Sequence, residues 1–292
     1  VVKLRKALQY PWWFLIPALA LYLTLYVYPV LSGFYYSFTD WNVYREQISF
    51  VGLEQYRSLL ASNDLVTAFG HTLIYAFVVT VFQNGLGFLL ALVLNARLKG
   101  RNLLRMIYFF PCTLSALVVG FMFSAILHPD GMVNQFLGAL NMPFLKQEWL
   151  GDGNINLYVL AFINVWQWAG FSMAIYLAGL QNVPKEMTEA ARIDGCSYFQ
   201  SIRKVIFPLI APAFTVNVIM TLIGSLKTFE LVYVITGGGP GTATEVANTL
   251  IFKQFSQGQY AYGTAVSVCL FLFIAAVSFP ILHKLRQREV EA

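Results

Sequence analysis

Charge is scarce in this chain: Asp, Glu, Lys and Arg make up 11% of its 292 residues, and hydrophobic residues make up 58%. Soluble domains carry about 25% charged residues, so this composition excludes an ordinary water-solvated domain and makes lipid the expected main solvent. Cysteine is nearly absent as well. Cys112 and Cys269 fall in apolar stretches and Cys196 in a polar loop, which excludes a disulfide scaffold and leaves packing as their expected role. The three histidines, His71, His128 and His283, share no ligand spacing, so no metal site is expected. A phosphate loop is missing too: the glycine-rich stretch Gly237-Gly238-Gly239-Pro240-Gly241 lacks the lysine and the following helix that such a loop needs. The chain is therefore not expected to hydrolyse ATP. Its net charge of +5 does not suggest nucleic-acid binding, because the basic residues flank apolar stretches instead of forming a stripe with stacking aromatics.

What the chain has in abundance is hydrocarbon-length apolar sequence. Six stretches, at about 11–38, 72–94, 106–127, 157–180, 205–235 and 261–282, each reach the roughly 20 residues that cross a bilayer as a helix. The expected fold is an all-α, polytopic membrane helix bundle with six spans, forming one domain over residues 1–292. The first stretch exceeds the apolar length of a signal peptide and has no small-residue cleavage site, so it is expected to be retained. Trp12, Trp13, Tyr108 and Tyr158 fall near span ends, where interfacial aromatics belong.

Lys and Arg set the orientation. With the N-terminus in the cytoplasm, the inner side holds Lys3, Arg5 and Lys6, then Arg97, Lys99, Arg101 and Arg105, then Lys185, Arg192, Arg203 and Lys204, and finally Lys284, Arg286 and Arg288. The outer side keeps only Arg45, Arg57, Lys146 and Lys253, with Lys227 in a span. Both termini and the 181–204 loop are thus expected to be cytoplasmic. The outer segments at about 39–71 and 128–156 contain Trp41, Tyr44, Phe50 and Tyr56, and Met132, Phe136, Phe144 and Trp149. Such segments are too apolar for disordered linkers and are expected to fold against the spans or a partner.

The 181–204 loop has the form of a docking handle. Pro184 suits a helix start and Gly195 can end a helix at positive φ. Between them Val183, Met187, Ala190 and Ala191 line one face, and Lys185, Glu186, Glu189 and Arg192 occupy the others. Glu189-Ala190-Ala191, then Gly195 after three residues, then Val205-Ile206-Phe207-Pro208 after nine, resemble the EAA loop of permease subunits in bacterial ABC importers. Val205 and Phe207 stand where that family usually has Ile and Leu, which keeps the apolar character. The resemblance implies that Glu186, Glu189, Ala190, Ala191, Asp194 and Gly195 couple to a separate ATPase subunit.

Two spans combine polar groups with aromatic rings. The fourth has Asn164, Gln167, Trp168 and Phe171, and the fifth has Ser225, Lys227, Thr228 and Glu230. Rings beside amides and hydroxyls suit a sugar, and a charge within a span is by default a functional candidate. Lys227 and Glu230, three apart, are expected on neighbouring faces of one helix and able to pair. Packing alone is the alternative for each of these residues. Lys227-Thr228-Phe229-Glu230, Thr236-Gly237-Gly238-Gly239-Pro240, Thr244 and Tyr262-Gly263-Thr264-Ala265 look like the carbohydrate-importing permeases of the maltose and glycerol-phosphate type. That likeness implies a substrate path through Gln167, Trp168, Phe171, Ser225 and Thr228, although several residue types at those positions differ from the maltose subunit.

The resemblance further implies a second homologous permease subunit, two ABC ATPase subunits, an extracytoplasmic solute-binding protein and membrane lipid as partners, with no nucleic acid. It implies no cofactor on this chain, with ATP and Mg in the partner ATPase. A gradient-driven secondary transporter is the alternative, for which internal repeats would be expected. A membrane enzyme would need a converging catalytic set, and none is visible among so few titratable residues.

Overall fold

A computed structural model describes residues 12–45, 47–96 and 98–287, with the side chain of Trp12 left out. Lys3, Arg5, Lys6, Arg97 and Arg288, used above for orientation, lie outside the described residues. The regular elements among those described are helices, joined by one isolated bridge between Thr39 and Phe50. The chain divides into two units, one of Val1–Ala61 and Ile251–Cys269, the other of Ser62–Leu250 and Leu270–Ala292.

In the first unit α1 (Trp13–Tyr36) is long and apolar enough to cross a membrane, and none of its apolar window is buried. The segment after it is ordered by its own polar atoms. Asp40 accepts the Ser49 backbone N–H at 2.7 Å and pairs with Arg45. The Ser49 hydrogen bond and the Arg45 guanidinium hold the Asp40 carboxyl below its usual pKa. The Trp41 ring packs between Tyr36 and Tyr260 at 4.5 and 4.8 Å, and its carbonyl accepts the Ala261 N–H at 2.8 Å. A short helix, α2 (Glu54–Ala61), carries Tyr56, whose hydroxyl meets Ser37 at 2.7 Å. The segment thus folds against the end of α1 through Tyr36 and Ser37.

In the second unit α3 (Asn63–Asn95) is followed by a bent pair, α4 (Arg101–Thr113) and α5 (Ala116–Ile126), at 97°. Pro111 lies in the last turn of α4, Leu114 and Ser115 are extended, and the Ser115 side chain accepts the Val118 N–H at the start of α5. A short helix, α6 (Met132–Ala139), leads to α7 (Asn156–Gln181). The cytoplasm-expected loop holds α8 (Lys185–Ile193). A second bent pair follows, α9 (Tyr198–Leu209) and α10 (Ala211–Leu226) at 75°, where Pro208 and Pro212 remove backbone donors around Ile210. Then comes α11 (Glu230–Ile235), while α12 (Ala247–Ser256) and α13 (Tyr260–Arg286) each have residues in both units.

Four helices can cross a membrane by length and composition, and the two bent pairs bring the number to six if each is one span. These match the six apolar stretches, with one difference. The fifth was expected to run unbroken to residue 235, but α10 stops at Leu226 and Phe229 adopts non-helical φ −148° and ψ −63° before α11 starts. The Asn248 amide accounts for the stop. It donates to the Lys227 carbonyl at 2.8 Å and the Thr228 carbonyl at 3.3 Å, satisfying groups a continuing helix would have bonded.

The core of this unit runs along α7, where Leu160, Met173 and Tyr176 are fully buried. Between apolar spans lipid offers no less than protein does to a hydrocarbon side chain, so close approach at small residues carries the packing. A Cβ on Gly87 of α3 would lie 2.6 Å from the Ser172 Cβ of α7, and one on Gly179 would lie 2.9 Å from the Ala213 Cβ of α10. The glycine-rich turn at 237–241 is structural. Thr244 bonds the Gly239 carbonyl at 2.9 Å and the Thr236 hydroxyl at 2.7 Å.

Candidate coupling helix and cargo cavity

The coupling loop is built by local signals. Pro184 directly precedes the first residue of α8, and Gly195 has φ +77°. The Gly195 N–H bonds the Arg192 carbonyl at 3.1 Å and the Cys196 N–H bonds the Ala191 carbonyl at 2.9 Å, the paired 5→2 and 6→1 bonds that close a helix at a left-handed residue. Ser197 and Gln200 then form a reciprocal capping box that starts α9. Of the small apolar stripe only Ala191 is buried; Ala190 is exposed and Met187 is 48% exposed. Glu186, Glu189 and Asp194 are exposed, and among the described residues none of them forms an ion pair. Three carboxylates and a small apolar ridge are thus presented on one short helix and its C-cap.

Between α3, α7 and α10 lies a cavity of about 320 Å³, lined by Val79, Gln83, Asn164, Trp168, Phe171, Asn217, Met220, Thr221, Gly224 and Ser225. Helical spacing puts Asn164, Trp168 and Phe171 on one face of α7, and Asn217, Thr221, Gly224 and Ser225 on one face of α10. The Trp168 and Phe171 rings meet edge to face at 6.0 Å. Ser225 donates its hydroxyl hydrogen to the Thr221 and Leu222 carbonyls at 2.7 and 3.1 Å, which leaves its oxygen as an acceptor. Gln83 donates to the Ser172 hydroxyl at 2.9 Å. The wall is therefore part ring, part amide and part hydroxyl, without an ionised group.

The remaining sequence candidates sit elsewhere. Gln167 is buried on another face of α7 and donates to the Leu114 carbonyl at 3.0 Å, where the bend between α4 and α5 leaves that acceptor free. Lys227 caps α10 and Glu230 opens α11. Both are exposed, and they do not form the ion pair expected of one continuous helix. Thr228 lies in the break between the two helices. Conversely, Gln83, Asn217 and Thr221 line the cavity and were not singled out from sequence. The signal available for them was a polar side chain in the middle of an apolar run.

The profile of the binding-protein-dependent transport system inner membrane component family matches residues 83–290, which takes in α8, every residue lining the cavity except Val79, and both bends after α3. The chain belongs to that family. It is similar to the multiple sugar-binding transport system permease protein MsmF of Streptococcus mutans, at 33% identity over 280 residues, covering 95% of this chain and 96% of the relative. It is also similar to the trehalose/maltose transport system permease protein MalF of Thermococcus litoralis, at 31% identity over 270 residues, covering 92% and 90%. Among solved structures it shares the fold of a bacterial ABC transporter involved in the import of the acidic polysaccharide alginate, with TM-score 0.82, 24% identity and 94% of each chain covered. As an inner membrane component, this family member is a membrane-embedded permease subunit of an ABC importer and works with a binding protein; ATP hydrolysis belongs to a separate subunit.

Proposed function

We propose that this permease subunit imports a neutral carbohydrate and forms half of the translocation path, with a second homologous permease supplying the other half. Two ATPase subunits, which hold ATP and Mg, dock on the cytoplasmic face through α8, and a solute-binding protein delivers cargo outside. This chain itself binds no cofactor. Residues 1–292 act as one transmembrane domain with both termini cytoplasmic, the side that the excess of Lys and Arg favours. Sugar transport in the names of the relatives supports the cargo class.

The observation that carries the reading is the cavity, where the Trp168 and Phe171 rings share about 320 Å³ with Ser225, Asn164 and Gln83. A pyranose offers an apolar C–H face to a ring and hydroxyls to amides and hydroxyl oxygens, and this wall has groups of both kinds. An anion would find no cation there. The test is uptake of maltotriose, trehalose and arabinotriose by the reconstituted complex. Trp168→Ala with Ser225→Ala removes contacts worth about 1–3 kcal/mol, a loss of roughly tenfold to a hundredfold in affinity. Assembly and basal ATP hydrolysis should persist. Wild-type uptake of a transported sugar by the double variant moves the site off α7 and α10.

A further inference from the structure

A second pocket, of about 460 Å³, lies wholly within the first unit. Asp40, Trp41, Tyr44 and Arg45 line it from the loop after α1, Gln55 from α2 and Tyr262 from the first turn of α13. The loop is fixed at several points. Asn42 accepts the Tyr44 N–H and donates to the Asp40 carbonyl, each at 2.9 Å. The Val43 N–H bonds the Gly258 carbonyl at 2.9 Å, and the Val43 side chain fills the space that a Cβ on Gly258 would need. Asp40 pairs with one terminal nitrogen of Arg45, whose side chain is 59% exposed, so the other guanidinium N–H groups stay available. Gln55 Nε2 donates to the Thr39 carbonyl at 3.0 Å, which fixes the amide, because turning it over would set two acceptor oxygens together. Among the described residues neither Gln55 Oε1 nor the Trp41 indole N–H has a hydrogen-bond partner, and neither atom is buried, so a ligand can reach both.

We propose that this pocket is a second carbohydrate subsite, on the side expected outside, that holds one unit of an uncharged saccharide through Trp41, Tyr44, Arg45 and Gln55. This deepens the carbohydrate reading and rests on it. A sugar hydroxyl both donates and accepts, and the pocket offers both partners: the Trp41 and Arg45 N–H groups donate, and Gln55 Oε1 accepts. The Tyr44 ring, 85% exposed, supplies an apolar face for the sugar C–H groups. Asp40 neutralises Arg45, so the wall carries one charge of each sign and favours a ligand without net charge.

The experiment uses the permease assembled with its partner permease and ATPases in nanodiscs, without the solute-binding protein, and titrates maltotriose, trehalose and arabinotriose by saturation-transfer NMR. With Trp168→Ala and Ser225→Ala weakening the cavity between the spans, saccharide binding should remain. Adding Trp41→Phe and Tyr44→Ala should then raise its Kd about tenfold or more. The first change keeps a ring between Tyr36 and Tyr260 and removes the N–H; the second acts on an exposed side chain. Tyr44→Ala alone, with a rise of about threefold or more, replaces the pair if that does not assemble. No binding in the Trp168/Ser225 background, or the same Kd with and without the pocket substitutions, overturns the proposal. So does weaker docking of the solute-binding protein at an unchanged saccharide Kd, which would make the pocket a protein contact. Failure of the carbohydrate reading appears separately, as uptake of none of the three probes by the complete importer in proteoliposomes, and it overturns this proposal as well.

Discussion

Gly170 of α7 lies so close to the Tyr108 carbonyl of α4 that a Cβ at position 170 would collide with that oxygen. One turn earlier, Gln167 donates to the Leu114 carbonyl at 3.0 Å. Together the two residues hold the bent third span against the fourth, the first by close backbone approach and the second by satisfying an acceptor that the bend releases. The face of α7 bearing Trp168 and Phe171 is thereby set in place toward α3 and α10.

Gly170→Ala should therefore destabilise the assembled permease by about 1–3 kcal/mol, the range for overpacking a tight contact. Gly85→Ala in α3 is the contrast, since a Cβ there meets nothing within 4 Å and alanine raises helix propensity by about 1 kcal/mol. Thermal inactivation of the detergent-solubilised complex measures both. Equal midpoints for the two variants would show that the approach to Tyr108 can relax.

Coupling gives a second prediction, motivated by the exposed carboxylate of Glu189, which among the described residues has no ion-pair partner. Glu189→Lys should leave the spans folded and abolish substrate-stimulated ATP hydrolysis, because an exposed carboxylate on a docking helix suits a basic residue of the ATPase, which a lysine would repel. Juxtaposed like charges at an interface cost several kcal/mol, enough for about a hundredfold weaker docking or more. Normal assembly with normal stimulated hydrolysis would falsify the docking role.

Sequence patterns made local features legible and missed those that depend on distant atoms. The end of α8 at Gly195 was readable because a left-handed position favours glycine. Trp168, Phe171 and Ser225 share the cavity as their types suggested. The break after Leu226 was hidden, since no Pro or Gly marks residues 227–229 and the cap comes from Asn248, about twenty residues downstream. Gln83 and Asn217 interrupt apolar runs, and only the meeting of α3 with α10 shows that both line one cavity. The first unit was hidden for the same reason: the bond from Ala261 to the Trp41 carbonyl joins segments that no composition change connects.

Topology is the third prediction. Lys and Arg concentrate before α1, around α4, in the α8 loop and at the end of α13, while the segments expected outside keep Arg45, Arg57, Lys146 and Lys253. An even number of crossings separates α8 from the N-terminus, and an odd number separates it from the segment containing Lys146, if each bent pair is one span. Lys146→Cys and Lys185→Cys, each in a background with Cys112, Cys196 and Cys269 replaced, should react with a membrane-impermeant thiol reagent from opposite faces. Lys185→Cys should be labelled only in inside-out vesicles and Lys146→Cys only in right-side-out ones. Labelling of both from one side would mean that α7 does not cross, which would also remove the α7 wall of the cavity from the membrane.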